Sequence, residues 1–312
     1  MIIDFVRKHL VLNFSQLIGQ EVVVRFLKNT LYKNYFFPLY LFSGPRGTGK
    51  TSSARLLATA YFCEKYPDFC HSKGDVIVPC HTCATCIETV KGKNPNLIEI
   101  DAASNTGVDN IRALIENAYL MPINAEKKFY IIDEAHMLSK SAFNACLKIM
   151  EEPPEHVHFI MATTEPQKII DTIRSRSIHL HFTPLSHDQL AQYICSIARE
   201  ESVELDYSGA YLISTVAEGS IRDALNTLTK LCIIYGNNIS EEVVRKNCGI
   251  ITKETINALI DCVLYFLHRL LECKFDKNNL ATVFHSVASE FNADELKSAI
   301  SVDQLYDTLN PL

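Results

Sequence analysis

The sequence lacks any long, uninterrupted hydrophobic run. Asp4, Arg7 and Lys8 lie among the apolar residues at its start, and Asp261 divides the most apolar late stretch, residues 256–267. A helix needs about 20 mostly apolar residues to cross a bilayer, and a secretory signal needs an apolar stretch of roughly 7–15 residues. We therefore expect no signal peptide and no contact with a membrane.

The chain also lacks an excess of positive charge, internal repeats and low-complexity tracts. Its 30 Lys and Arg residues face 36 Asp and Glu residues, which gives a formal net charge of −6. Proteins that hold nucleic acid by charge alone need a basic surface to neutralise phosphates. The acidic balance excludes that class for a single chain, so any contact with nucleic acid must be local or shared with partners.

The sequence does contain a strand, a glycine-rich turn and a helix start in one run, residues 39–57. Gly44, Gly49, Lys50 and Thr51 match the phosphate-loop pattern GxxxxGK[ST], whose N–H groups surround phosphates while its Lys reaches the β and γ phosphates. A plain glycine-rich turn with a surface lysine does not explain why Lys50 opens an apolar helix. The predicted nucleotide-binding residues are Gly44, Pro45, Arg46, Gly47, Thr48, Gly49, Lys50, Thr51 and Ser52.

A second nucleotide motif follows downstream, where an apolar strand ends in Asp133 and Glu134. We expect Asp133 to bind Mg²⁺ together with Thr51, and Glu134 to polarise the water that attacks the phosphoryl group. Strands often end in acidic residues, so this motif alone is weak evidence for a nucleotide site. It becomes strong evidence because it follows a phosphate loop in the same chain. With His136 it also spells the DEAH string of some helicases, but the other helicase motifs are missing.

The chain alternates strand-like and helix-like segments up to Pro184. The strands are expected at residues 97–100, 129–132, 157–161 and 178–182, and the helices at 15–33, 108–120 and 139–151. This alternation predicts an α/β fold with a parallel sheet and a ligand at the carboxyl ends of the strands. After Pro184 only helices are expected, at residues 186–201, 207–217, 221–235 and 240–248.

Eleven cysteines without a secretory context indicate a reducing compartment, where clustered thiols bind metal more often than they form disulfides. Cys80, Cys83 and Cys86 supply three thiolates for a tetrahedral zinc site, and spacing leaves open whether Cys63 or Cys70 is the fourth ligand. These residues lie in an inserted module, about residues 63–92, with no periodicity through residue 86. The module looks too small for an apolar core, so metal binding should be its main source of order.

Taken in order, these motifs resemble the gamma/tau family of bacterial DNA polymerase III clamp-loader subunits, which are AAA+ ATPases. The resemblance covers residues 5–248. It rests on the motifs Ile18-Gly19-Gln20-Glu21, residues 43–51, the cysteine module, residues 99–104, Asp133-Glu134 with residues 136–139, residues 147–154, Ala162-Thr163-Thr164 and residues 219–225.

The resemblance implies three domains and three cofactors. Residues 1–183 would form an AAA+ P-loop nucleotide-binding domain with the inserted zinc module, residues 184–249 a small helical lid, and residues 250–312 a partial helical collar. The cofactors would be ATP, Mg²⁺ and Zn²⁺. The family alignment favours Cys63 as the first zinc ligand and leaves Cys70 as the alternative.

The family also assigns roles that the residues alone do not. Thr164, with Thr163, would sense the γ-phosphate, and Arg222 would do so from the lid. Arg176 corresponds to the arginine finger that acts on a neighbouring subunit's ATP, although Ser177 replaces the cysteine that usually follows. Taken by itself, each of these arginines is typical of a solvated surface position.

The expected partners are delta and delta-prime subunits, other copies of the chain, the sliding clamp and primer-template DNA. DNA would be contacted through Ser104, Asn105, Thr106 and Arg112, at a helix start suited to phosphates. Such a subunit would work in the bacterial cytoplasm, associated with the nucleoid.

Three departures from the family keep one rival interpretation open, and the fold and zinc module that the family shares with a paralogue keep a second. Residues 7–11 retain only Arg7 and Lys8 of the usual Arg-Lys-Trp/Tyr-Arg-Pro, the insert between Cys63 and Cys80 is longer than usual, and the collar is short. One rival is a truncated paralogue that binds ATP but cannot assemble. The other is a structural subunit like delta-prime, whose family lacks an intact phosphate loop.

Overall fold

The computed structural model describes residues 4–71, 78–104, 108–249 and 263. The chain divides into two compact units, Met1–Val244 and Arg245–Leu312. The predicted DNA contacts Asn105 and Thr106 lie outside the described residues, as does the predicted collar apart from Val263.

Five parallel strands form the central sheet. They are β1 (Leu39–Ser43), β2 (Leu97–Asp101), β3 (Lys128–Asp133), β4 (Val157–Thr163) and β5 (Ile178–His181), in the order β2-β3-β4-β1-β5. Every residue of β1 and β4 is buried, as expected for strands covered on both faces. The predicted α/β fold with a parallel sheet is therefore confirmed, and all five strands end at one edge.

Helices cover both faces of this sheet. The helices before Pro184 are α1 (Phe5–Lys8), α2 (Glu21–Tyr32), α3 (Lys50–Phe62), α4 (Tyr66–His71), α5 (Ala84–Val90), α6 (Val108–Tyr119), α7 (Lys140–Glu151) and α8 (Asp171–Arg174). Of these, α1 packs against the later helix Ile221–Tyr235. Side chains alternate along β1, so Tyr40 and Phe42 join one buried cluster while Leu41 joins the other. The first cluster includes Leu27 of α2, and the second includes Phe143 of α7.

The helices after Pro184 are α9 (His187–Glu200), α10 (Tyr207–Val216), α11 (Ile221–Tyr235) and α12 (Glu241–Asn247). Ser186 begins α9 with a capping box to Gln189. The expectation of helices alone was wrong, because β6 (Glu204–Leu205) and β7 (Asn238–Ile239) pair in parallel between them. Two-residue strands are too short to show a period of two in the sequence.

The cysteine module is more regular than its sequence suggested. It contains α4 and α5, and Tyr66, Phe69 and Val78 belong to the buried cluster shared with α2 and α3. The Tyr66 hydroxyl also donates a hydrogen bond to Leu31 O at 2.8 Å. The expectation that the module has no apolar core was therefore wrong, because the module packs into the core of the larger domain.

No helix in the described ranges is long and apolar enough to cross a membrane.

Candidate functional site

The phosphate loop connects the end of β1 to the start of α3. Gly44, Gly47 and Gly49 have φ angles of 143°, 74° and 97°, which favour glycine. A Cβ atom on Gly44 would lie 2.2 Å from the carbonyl oxygen of Phe182. The loop can therefore follow this path only with glycine there, and the first turn of α3 directs its N–H groups toward the cleft.

Lys50 lies inside this loop with 6% of its surface exposed. Its Nζ donates hydrogen bonds to Gly44 O at 2.8 Å and to Pro45 O at 2.7 Å. Burial lowers the pKa of Lys50, while the charges of Glu134 and Asp133 act in the opposite direction. Phosphate oxygens are stronger acceptors than carbonyls, so a nucleotide could take over these contacts.

Thr51, in the first turn of α3, contacts Asp133 at the end of β3. The Thr51 hydroxyl donates to Asp133 Oδ2 at 2.9 Å, and Asp133 Oδ1 accepts from the backbone N–H of Glu134 at 3.0 Å. A hydroxyl and a carboxylate are hard oxygen ligands of the kind that Mg²⁺ prefers beside phosphates. These residues fit a magnesium ion.

Glu134 lies at the mouth of the cleft in the left-handed region, with φ 47° and ψ 44°. Its Oε2 atom is buried and has no hydrogen-bond partner among the described residues. The nearly buried ring of His136 lies beside it, with Nδ1 at 3.5 Å. Sequence reasoning gave His136 no role in the site, although its place two residues after the carboxylate was a signal.

The first turn of α11 touches the phosphate loop directly. Ile221 N donates to Gly47 O at 3.2 Å, and a Cβ atom on Gly47 would lie 2.0 Å from Ser220 Oγ. Arg222, the next residue of α11, is exposed and lines the same cleft as Lys50. The structure thus brings the predicted lid arginine to the loop, whereas Thr164 lies just beyond the end of β4 and is half-buried.

The opposite wall of the cleft is formed by the N-terminal strap, which we define as residues 5–11. Its cleft-lining residues are Val6, His9, Leu10 and Val11. The strap contacts Glu201, the residue that follows α9. His9 Nε2 lies 2.6 Å from Glu201 Oε1, and Lys8 Nζ lies 2.5 Å from Glu201 Oε2. The sequence gave no indication of Glu201, because 192 residues separate it from His9.

The remaining predicted contacts lie away from this cleft. Arg176 is on the surface, with Nη1 2.9 Å from Glu151 Oε1, and it does not line the cleft. The Ser104 hydroxyl donates to Asp101 Oδ2 at 2.8 Å, and Arg112 is exposed on α6. Arg176, Ser104 and Arg112 are therefore not placed to touch a nucleotide held by the same chain.

Four cysteines form a second site. The sulfur atoms of Cys63, Cys80, Cys83 and Cys86 all lie within 4.8 Å of one another, whereas Cys70 Sγ points to Leu31 O at 3.5 Å. The Thr82 hydroxyl helps to lower the pKa of Cys80 to about 5, and burial raises the pKa of Cys63 and Cys86. Four converging sulfurs fit a tetrahedral zinc ion, and the fourth sulfur comes from Cys63.

Sequence comparisons place this architecture among replication proteins. The model of the family described as DNA polymerase III, delta subunit, matches residues 19–186. The DNA polymerase III subunit gamma of Buchnera aphidicola (subsp. Baizongia pistaciae) is 38% identical over 276 residues, which cover 88% of this chain and 70% of that relative. The tau subunit of Escherichia coli is 40% identical over 252 residues, which cover 80% of this chain and 38% of that relative.

Solved structures show the same fold. RuvB from Thermotoga maritima, a Holliday junction branch migration motor, aligns with a TM-score of 0.55 and 18% identity, covering 95% of this chain and 87% of that one. At this identity the likeness shows that the two chains share a parallel α/β fold, and it shows no function. The family model and the gamma relative show that the chain belongs to the gamma/tau family of DNA polymerase III clamp-loader subunits.

Proposed function

We propose that the chain is an ATP-hydrolysing subunit of a clamp loader. It binds ATP and Mg²⁺ and, with delta and delta-prime subunits and further copies of itself, loads the sliding clamp onto primed DNA in the cytoplasm, at the nucleoid. One observation carries this proposal: Lys50, Thr51, Asp133 and Glu134 line or border one cleft that Arg222 of the lid also lines. The proposal concerns the activity of a whole subunit, whereas the matched part of this chain spans 38% of the E. coli tau subunit.

Each residue in the cleft has a task in phosphoryl transfer. Lys50 exchanges its two carbonyl partners for oxygens of the β and γ phosphates, and Arg222 binds the γ-phosphate from the lid. Thr51 and Asp133 hold the magnesium ion, which neutralises phosphate charge when bound. Glu134 polarises the attacking water, and Thr164 contacts the γ-phosphate from the end of β4.

The surface residues serve the assembly. Arg176 gives up its ion pair with Glu151 and reaches ATP on a neighbouring copy, where an arginine finger is worth about 10³–10⁵ in rate. Ser104, Arg112 and the adjacent helix start contact DNA phosphates. The zinc ion held by Cys63, Cys80, Cys83 and Cys86 is structural, because four thiolates leave no open position for chemistry.

A structural, non-hydrolysing subunit is the alternative from a different class. The matching family model carries the description of a delta subunit, which favours it. The complete phosphate loop and the Thr51–Asp133 contact at 2.9 Å favour an ATPase instead. An ATP-binding paralogue that cannot assemble is separated from our proposal only by adding partner subunits.

Nucleotide binding by the full chain and its Lys50→Ala variant tests the proposal. A fluorescent ATP analogue, titrated in the presence of Mg²⁺, should bind the wild type but show no measurable binding to the variant. The reason is that the variant loses the buried ammonium group that the phosphate loop encloses. Lys33→Ala, at the exposed end of α2, is the matched control and should bind normally. Equal binding of the analogue by the Lys50→Ala variant and the wild type would contradict the proposal.

A further inference from the structure

His136 contacts the catalytic region at three points that the proposed function does not use. It lies on the short turn Ala135–Met137, directly after Glu134, and its side chain is 8% exposed. Its Nδ1 atom is 3.1 Å from Thr163 Oγ1 and 3.5 Å from Glu134 Oε2, and its Nε2 atom is 3.5 Å from Glu165 Oε1. The ring therefore bridges Glu134 and the end of β4.

One oxygen of the Glu134 carboxylate lacks a hydrogen-bond donor in the described part of the chain, and a small shift of the His136 ring would supply one. Its Oε2 atom is buried and makes no hydrogen bond among the described residues. The imidazole Nδ1 at 3.5 Å is close enough for an ion pair but too far for a good hydrogen bond. An unsatisfied buried carboxylate oxygen is costly, so a shift that shortens this contact is favourable.

Thr163 competes for the same nitrogen. Its Oγ1 atom is fixed at the end of β4, where it accepts from Glu165 N at 3.0 Å. When Nδ1 carries the proton, this one N–H group cannot make full hydrogen bonds to both Thr163 and Glu134, and the ionised carboxylate is the stronger acceptor. The Glu165 carboxylate near Nε2 already forms an ion pair with Lys168, whose Nζ lies 2.8 Å from Glu165 Oε1.

We propose that His136 is a positioning residue for ATP hydrolysis. Its Nδ1–H group binds Glu134 Oε2 and holds the carboxylate toward the attacking water. Its contact with Thr163 links that position to the residue next to Thr164 at the end of β4. This inference rests on the proposed function, because it assigns a role within the same site.

Three substitutions test the role at the level of single atoms. His136→Ala should lower kcat by about 10- to 100-fold, because a misplaced catalytic group costs that much. The Kd for ATP should stay within about twofold, since Thr163 is the one predicted phosphate contact that His136 touches. His136→Asn places an amide donor near Nδ1 and should recover most of kcat. His136→Gln places its amide near Nε2 and should not.

A double-mutant cycle tests whether His136 acts through Glu134. Glu134→Gln removes the carboxylate, so adding His136→Ala to that variant should cause no further loss of kcat. The same fold-loss in both backgrounds would overturn the inference, as would recovery by Gln rather than Asn. All rates are measured on the full chain with its clamp-loader partners.

His158→Asn is the matched control for a buried histidine. His158 is 3% exposed, bonds Phe37 O through Nδ1 at 2.9 Å and packs against aromatic rings rather than the cleft. This variant should change Tm without changing kcat. A wild type that never hydrolyses ATP would contradict the proposed function itself, whereas a hydrolysing wild type with an equally active His136→Ala variant would overturn only the role of His136.

Discussion

At the scale of single residues, the buried ammonium of Lys50 makes ATP affinity depend on pH. Burial lowers its folded pKa, so the folded protein releases this proton at a lower pH than an exposed lysine would. Phosphate binds the protonated form, so the Kd for ATP should rise as alkaline pH passes the lowered pKa of Lys50. Fluorescence titration at a series of pH values measures this rise.

Arginine is the control for this titration, because a guanidinium stays protonated throughout the alkaline range. Lys50→Arg should bind ATP more weakly than the wild type at neutral pH but with a Kd that does not rise in the same window. A rise of equal size in both proteins would show that another group titrates.

At the scale of elements, Glu201 pairs with two side chains of the N-terminal strap, His9 and Lys8. The two partners His9 and Glu201 are largely buried, and Lys8 supplies a second, more exposed contact. Glu201→Ala leaves these donors without their acceptor, which we expect to weaken ATP binding by about tenfold, the equivalent of one hydrogen bond to a charged group. Isothermal titration with ATP measures the change.

The neighbouring residue Glu200 is a matched control for this prediction. It is 65% exposed, and its carboxylate lies 3.7 Å from His9 Nδ1. Glu200→Ala should therefore leave the ATP affinity almost unchanged. An equal effect of both substitutions would mean that the strap is not held by the buried contact.

The cysteine module allows a second prediction at this scale. Cys63→Ser should reduce bound zinc well below the wild-type content and lower Tm. A zinc ion in this cluster would hold α5 against α3, with Cys63 at the end of α3 and the other three ligands in or just before α5. Cys70→Ser removes a thiol outside the cluster and should retain zinc. Elemental analysis of the purified proteins decides between them, and zinc loss only in Cys70→Ser would reverse the assignment.

The elements show which features a sequence can reveal. The helix at Ile221–Tyr235 was predicted with the observed bounds, because its apolar period is regular and Ser220 caps it. The phosphate loop was likewise evident from a local pattern. The attachment of His9 to Glu201 and the choice of Cys63 over Cys70 were not, because both depend on residues that meet only in the folded chain.

At the scale of the whole molecule, Arg176 provides the test of action between subunits. The chain alone holds it in an ion pair with Glu151, outside its own cleft. Arg176→Ala should therefore bind ATP normally and lose hydrolysis in the assembly by about 10³–10⁵-fold. Arg174→Ala, which removes a surface pair with Asp171, is the control and should hydrolyse normally.

Mixing two inactive variants shows whether the finger acts in trans. A Lys50→Ala copy still has its finger, and an Arg176→Ala copy still has its ATP site, so some neighbouring pairs in a mixed assembly are complete. Mixed assemblies should hydrolyse ATP faster than either variant alone. Activity no higher than that of the separate variants would indicate that Arg176 does not reach a neighbouring site.

The most direct test of the account is steady-state ATP hydrolysis by the purified chain, measured alone and with delta, delta-prime, clamp and primed DNA. We predict slow turnover by the chain alone and a large increase with the complete set, which disappears in the Lys50→Ala variant. ATP binding without any increase on addition of partners would contradict the account and favour a paralogue that cannot assemble.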